Sequence, residues 1–158
     1  MTAEIRLVRA ETPRDWTWAR VLIEEYAAGL GVDLCFQNFD DEIEHLSSHY
    51  GPPRGVMLLA LDGDSAIGCV GLREHDDDTG EIKRLYVAPA ARGRDLGKAL
   101  ARAVIEIARE FGYRRLVLDT LPTMQAAQAL YASLGFRSID PYRYNPVKGT
   151  VYMELDLA

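Results

Sequence analysis

Arg92, Arg94 and Lys98 gather in and just beyond one turn, residues 88 to 97, which also carries Gly93 and Gly97 and leads into a segment with helical apolar spacing. Backbone N–H groups at a helix start lack intrahelical partners and carry partial positive charge. With three cations beside them they make a seat suited to a pyrophosphate. The two common glycine-rich phosphate loops do not fit. Gly93 to Lys98 is one residue too short for a nucleoside-triphosphate loop, and Ala99 stands where a metal-binding Ser or Thr is needed. The dinucleotide fingerprint fails because only Gly93 and Gly97 are present, at the wrong interval.

Other reactive groups are less organised. His45 and His49 lie one helical turn apart beside Glu42 and Glu44, but the zinc-protease order is absent, and the expectation is a polar helix face without a metal. Cys35 or Cys69 with His75 has no nucleophile signature, so no covalent enzyme intermediate is expected. The two cysteines sit among apolar neighbours and read as buried thiols rather than a disulfide pair.

The elements that position the turn follow from apolar periodicity. With 158 residues, 48% of them hydrophobic, the chain is the size of a single domain, 1–158, with one core. There is no apolar run of membrane-spanning length, and Glu4, Arg6 and Arg9 occupy the start, so a soluble, cytoplasmic protein is expected. A formal charge of −6 argues against broad nucleic-acid binding and mildly favours a cationic partner such as an amine. Helices are expected in the first third: one over Trp16, Val21, Leu22, Tyr26 and Leu30, and a short one over residues 40 to 50 opened by Asp40 and Asp41. Val56 to Leu61 and Ala66 to Leu72 read as a hairpin around Asp62-Gly63-Asp64-Ser65, followed by an acidic loop from Glu74 to Gly80. A strand over residues 82 to 87 ends at Pro89, a helix runs from Leu96 to Phe111, and Arg115 to Thr120 form a strand apolar on both faces in its middle. Strand, crossover helix and strand should make a right-handed parallel pair. A helix from about Met124 to Leu134 and a strand from Val151 to Leu157 close the chain. In such a sheet ligands bind outside the carboxyl ends of strands, which here is the turn 88 to 97.

The stretch Glu81-Ile-Lys-Arg-Leu-Tyr-Val-Ala-Pro-Ala-Ala-Arg-Gly-Arg-Asp-Leu-Gly-Lys-Ala-Leu100 resembles the central acyl-CoA motif of the GNAT superfamily of N-acyltransferases. Downstream, Ala127-Gln-Ala-Leu-Tyr-Ala-Ser-Leu-Gly-Phe136 is similar to the family's second signature. The resemblance covers roughly residues 55 to 157 and implies an α/β (α+β) fold: a mixed, mostly antiparallel, splayed sheet of six or seven strands with a parallel central pair, flanked by about four helices. It implies acetyl-CoA as co-substrate, no metal, and direct acetyl transfer to an amine acceptor of a small molecule or peptide. The pantetheine arm would lie between the strands at 82 to 87, with Leu85, Tyr86 and Val87, and 115 to 120. Arg92, Gly93, Arg94, Asp95, Leu96, Gly97 and Lys98 would cradle the phosphates. Two positions depart from the pattern. Asp95 replaces the loop's first glycine; its charge is either offset by Arg94 and Lys98 or turned away to cap the helix. Met124 stands where many relatives carry a cofactor-binding Asn, and a backbone group or Gln128 is expected to substitute.

The chemistry implied is acid–base. An alkylammonium must lose a proton before it attacks a thioester, and Glu81, opening the strand along the cleft, is the first candidate base, with Glu74 and His75 in reserve. N–H groups near Tyr86 and Val87 are candidate donors to the tetrahedral oxygen, above all if the strand bulges there. Tyr131 is the candidate acid for the departing thiolate. Phe36, Tyr50, Tyr142 and Tyr144 flank loops on the acceptor side. The alternative is a regulatory module that binds acyl-CoA without turnover. Acceptor identity, and a homodimer as against a monomer, are open at this level.

Overall fold

The computed structural model describes residues 5–31, 34 and 38–157. They form β1 (Ile5–Arg9), α1 (Pro13–Gly29), α2 (Phe39–Glu44), α3 (Leu46–His49), β2 (Val56–Asp62), β3 (Ser65–Asp76), β4 (Thr79–Val87), α4 (Leu96–Glu110), β5 (Arg115–Thr120), α5 (Gln125–Ser133), β6 (Arg137–Ile139) and β7 (Val151–Asp156). The strands make one seven-stranded sheet in the order β1-β2-β3-β4-β5-β7-β6, antiparallel except for the parallel pair β4 and β5. This is the mixed sheet with a parallel central pair expected from the sequence.

Each face of the sheet is covered by helices whose apolar stripe matches it. Leu96, Leu100, Val104 and Ile107 of α4 pack with Leu72, Ile82, Leu116 and Leu118 in one core, which Tyr131 and Phe136 join from α5 and its end. On the opposite face Leu22 and Ile23 of α1, with Leu46 and Tyr50, pack on Met57, Leu59 and Cys69. Thr12 opens α1 with a reciprocal capping box to Asp15.

Several elements differ from the expectation. The first third also contains a strand, β1, because Ile5 to Arg9 find unpaired backbone along the edge of β2, from Ile5 opposite Asp62 to Arg9 opposite Leu58. Helix 40 to 50 is broken at His45, where φ is −131°, and its N-cap is Asn38 in a left-handed conformation rather than Asp40 or Asp41. The acidic segment 74 to 80 is mostly strand, since β3 and β4 extend into a tight hairpin around Asp77 and Asp78. β6 is an additional short strand on the outer edge of β7. No helix among the described residues is long and apolar enough to cross a membrane.

Candidate active site

The site arises where β4 and β5 part. Their pairing covers Thr79, Gly80 and Glu81 against Arg115, Leu116 and Val117, and then stops while both strands continue. A bulge drives the divergence: between Cys69 and Gly71 of β3 a single residue faces two on β4, and Arg84 takes φ of +61°. A non-glycine residue there is strained, so something must hold it. Arg84 is buried and forks onto Glu42 of α2, Nε to Oε2 at 2.8 Å and Nη2 to Oε1 at 2.9 Å. Tyr50 donates its hydroxyl to the same carboxylate at 2.9 Å, and the Cys69 thiol donates to the Arg84 carbonyl at 3.3 Å.

The gap contains a cavity of about 50 Å³. Lys83, Arg84 and Leu85 of β4, Leu118 to Leu121 of β5 and its following loop, and Tyr131 of α5 line it, with Tyr26 and Leu34 closing the other side. Beyond the carboxyl end of β4 lies the turn. Gly93 has φ of +87° and Asp95 φ of +54°, so the loop takes the left-handed angles expected at Asp95, which is the N-cap of α4. Of the two alternatives for its side chain, capping is not met: the Asp95 carboxylate makes no cap hydrogen bond, and the backbone carbonyl alone accepts from Ala99 N at 3.1 Å. Arg92 is exposed, and its Nε donates to the Val87 carbonyl at 3.2 Å. Arg94 leans to Asp62 at 3.4 Å. A side chain at Gly97 would meet Leu130 and Val87 at 3.7 and 3.9 Å, so the start of α4 lies against α5 and the end of β4. Leu96 is buried and anchors the turn to the core, and Lys98 is half-buried.

Tyr131 reaches the cavity from α5, buried, with its ring edge-on to Phe136 at 5.3 Å. Burial pushes its phenol well above the ordinary value. Gln128, expected to reach a cofactor, donates instead to the Leu121 carbonyl at 2.9 Å and fixes the β5–α5 loop, while Met124 lines the cavity. Leu85 lines the cavity, whereas Tyr86 turns to the other face and donates to Glu25 at 3.2 Å.

Glu81 has partners that the sequence reading did not anticipate. It is 1% exposed, and it accepts from Arg73 Nε at 3.0 Å, from Arg143 at 2.7 Å and from the Tyr142 hydroxyl at 2.7 Å. Burial would raise its pKa, but the charges of Lys83, Arg73 and Arg143 outweigh it and hold the carboxyl at about 2. A carboxylate so committed is a feeble proton acceptor. Lys83 is pulled down to about 8 by burial, with its Nζ 3.9 Å from Asp119 Oδ1. His75 stacks edge-on to Tyr142, and Glu74 pairs with Arg54.

His45 and His49 both face Asp41, and among the described residues no three His, Cys, Asp or Glu side chains gather into a metal-sized cluster. Cys69 is buried and its thiol is raised to about 12 by burial, which removes the thiolate a nucleophile needs. Cys35 and Phe36 lie outside the described residues. Tyr144 is exposed, and Tyr50 is structural through Glu42. The charged layer of Glu42, Arg73, Lys83, Arg84, Asp119 and Arg143 is the part that motif reading missed. Its signal was present: Lys83, Arg84 and Asp119 interrupt strands where apolar residues cost nothing to bury.

The comparisons with known proteins agree with this geometry. Residues 18–136 match the model of the acetyltransferase (GNAT) family. An uncharacterized N-acetyltransferase of Schizosaccharomyces pombe is 40% identical over 158 residues, covering 99% of this chain and 97% of the relative. Among solved structures, an acetyltransferase of the GNAT family from Staphylococcus aureus superposes with a TM-score of 0.82 at 20% identity, over 98% of this chain and 100% of the other. An acetyltransferase from Salmonella typhimurium, solved with its cofactor acetyl-CoA, superposes with a TM-score of 0.71 at 19% identity, over 98% and 94%. The splayed parallel pair, the basic glycine-bearing turn and the match over most of the chain together place it in the GNAT family of acetyltransferases.

Proposed function

We propose that this acetyltransferase moves an acetyl group from acetyl-CoA to a primary amine of a small molecule or peptide, by direct attack within a ternary complex. The observation that carries the reading is the cavity between the diverging β4 and β5 with Tyr131 in its wall, together with the basic turn and the start of α4 that follow the carboxyl end of β4. The strand edges left unpaired there offer backbone donors and acceptors of the kind an amide-bearing pantetheine arm needs. The turn N–H groups with Arg92 and Lys98 would hold the pyrophosphate, and the Arg94 cation would stand near it. The neighbour solved with acetyl-CoA supports that choice of donor.

Tyr131 would supply the proton to the sulfur as the thioester breaks. Its raised phenol stays protonated through neutral pH, and the burial that raises it would also raise the basicity of a thiolate in the same cavity. Glu81 is better suited to positioning than to proton transfer, since it ties Arg73 of β3 to Tyr142 and Arg143 of the β6–β7 loop and so shapes the acceptor side. Thiol release from acetyl-CoA across amino acids, alkylamines and peptide N-termini tests the reading, with the acetylated product identified by mass. Binding of acetyl-CoA without amine-dependent thiol release would refute it in favour of an acyl-CoA-binding module.

A further inference from the structure

Direct transfer requires a group that receives the acceptor's ammonium and takes a proton from it, and Glu81 is already committed to two guanidiniums. A second carboxylate lines the cavity. Asp119 projects from β5 with its side chain 7% exposed. Its Oδ1 is 3.9 Å from Lys83 Nζ, too long for a hydrogen bond, and its Oδ2 is buried with no hydrogen-bond partner among the described residues. Next to it Thr120 Oγ1 is buried and likewise lacks a partner among the described residues. An orphan carboxylate oxygen on the wall of a cavity is unusual, because a buried acceptor left without a donor costs roughly 1–3 kcal/mol, more when charged. A ligand that brings N–H donors and a positive charge resolves it at Asp119 Oδ2.

Resting on the acetyl-transfer reading, we propose that Asp119 seats the acceptor's ammonium and takes its first proton on Oδ2. The bond formed is charge-assisted, the strongest kind available to a buried carboxylate. The groups that feel the Asp119 charge come from four elements: Lys83 on β4, Tyr26 on α1, Tyr152 opposite it on β7, and Tyr142 and Arg143 in the β6–β7 loop. Burial raises the three phenols and keeps them neutral. Lys83 gauges what the site does to an alkylammonium: burial lowers it to about 8, and an acceptor seated alongside would give up its proton more readily for the same reason.

The protons balance. Asp119 takes one from the ammonium and passes it to solvent; the freed lone pair forms the N–C bond at the thioester carbonyl carbon. The second proton is shed from nitrogen as the C–S bond breaks, and it balances the one Tyr131 delivers to sulfur and then recovers. The products are an acetamide, a thiol and one proton in solution.

The test uses the full chain with saturating acetyl-CoA and the amine that gives the highest turnover. Asp119→Asn keeps the shape and one acceptor oxygen but removes the charge and the base. Its kcat/KM for the amine should fall roughly 10²–10³-fold, with acetyl-CoA affinity unchanged. The deficit should shrink as pH rises toward the amine's own pKa, because a neutral amine needs no base. Full activity, or a deficit constant across pH, overturns the assignment. Should Asp119→Asn fail to fold, the wild-type protein with CoA is titrated with ethylammonium while the Asp119 carboxyl ¹³C resonance is followed. A saturable shift supports the seat and its absence overturns it. If the wild-type protein acetylates no amine, the acetyl-transfer reading falls, and that titration still decides whether Asp119 binds an ammonium.

Discussion

Glu81→Gln separates a structural carboxylate from a catalytic base. In the folded chain Glu81 is held at about 2, against an ordinary value of 4.5. That difference corresponds to roughly 3 kcal/mol of preference for the ionised form. Because the folded pKa is the lower one, this stability is present above the ordinary value and is lost as pH falls from about 4.5 toward 2. Glutamine can still accept from one donor but leaves Arg73 and Arg143 uncompensated. Both are partly solvated, 21% and 24% exposed, so water takes up some of the loss. The cost should therefore sit near the low end of the roughly 3–5 kcal/mol typical of a broken buried pair. At roughly 2–4 °C per kcal/mol for a chain of this size, the melting temperature at pH 7 should drop by about 6–12 °C. Thermal melts of both proteins between pH 3 and 8 provide the measurement. The two curves should draw together as pH falls from 4.5 toward 3, where the wild-type carboxylate has lost part of its advantage. Turnover of the folded variant should keep its low-pH limb. A Glu81→Gln protein that melts like the wild type at pH 7 yet loses that limb would refute the positioning role and restore Glu81 as the base.

Three further outcomes are expected. Arg92→Ala should weaken acetyl-CoA binding by about 1–2 kcal/mol, roughly 5- to 30-fold in Kd by calorimetric titration; an unchanged constant would move the phosphate seat elsewhere. Asp95→Gly should stabilise the fold by about 1 kcal/mol, since glycine accepts the φ of +54° without penalty and no side-chain cap is lost, and it should tighten CoA binding by removing an anion from the loop. A lower melting temperature would contradict this. Tyr131→Phe keeps the ring against Phe136 and deletes only the hydroxyl, so turnover should fall roughly 10²-fold and the high-pH limb should alter, while acetyl-CoA affinity moves little. Full turnover with an unchanged profile would assign the proton to water or to the substrate.

What the chain determines locally was readable from it. Apolar spacing and punctuation located α4, β5, α5 and β7 to within a few residues, because helix period, buried strands and left-handed glycines such as Gly112 and Gly135 are decided by neighbours in sequence. The basic turn was legible for the same reason: Arg92, Gly93, Asp95 and Gly97 act through one loop and one helix start. Partnerships across the fold were not. Glu42 stood in the sequence as a neighbour of two histidines, and only the packing of α2 over the sheet delivers it to Arg84, 42 positions away. Glu81 read as an opening strand carboxylate free to act as a base; the fold closes Arg73, Tyr142 and Arg143 around it and turns it into a scaffold. Asp119 was one unremarked residue of the strand Arg115 to Thr120, and only the parting of β4 from β5 gives it a cavity to line. A buried charge is defined by what surrounds it in space, and sequence spacing carries that information only within one turn or one strand.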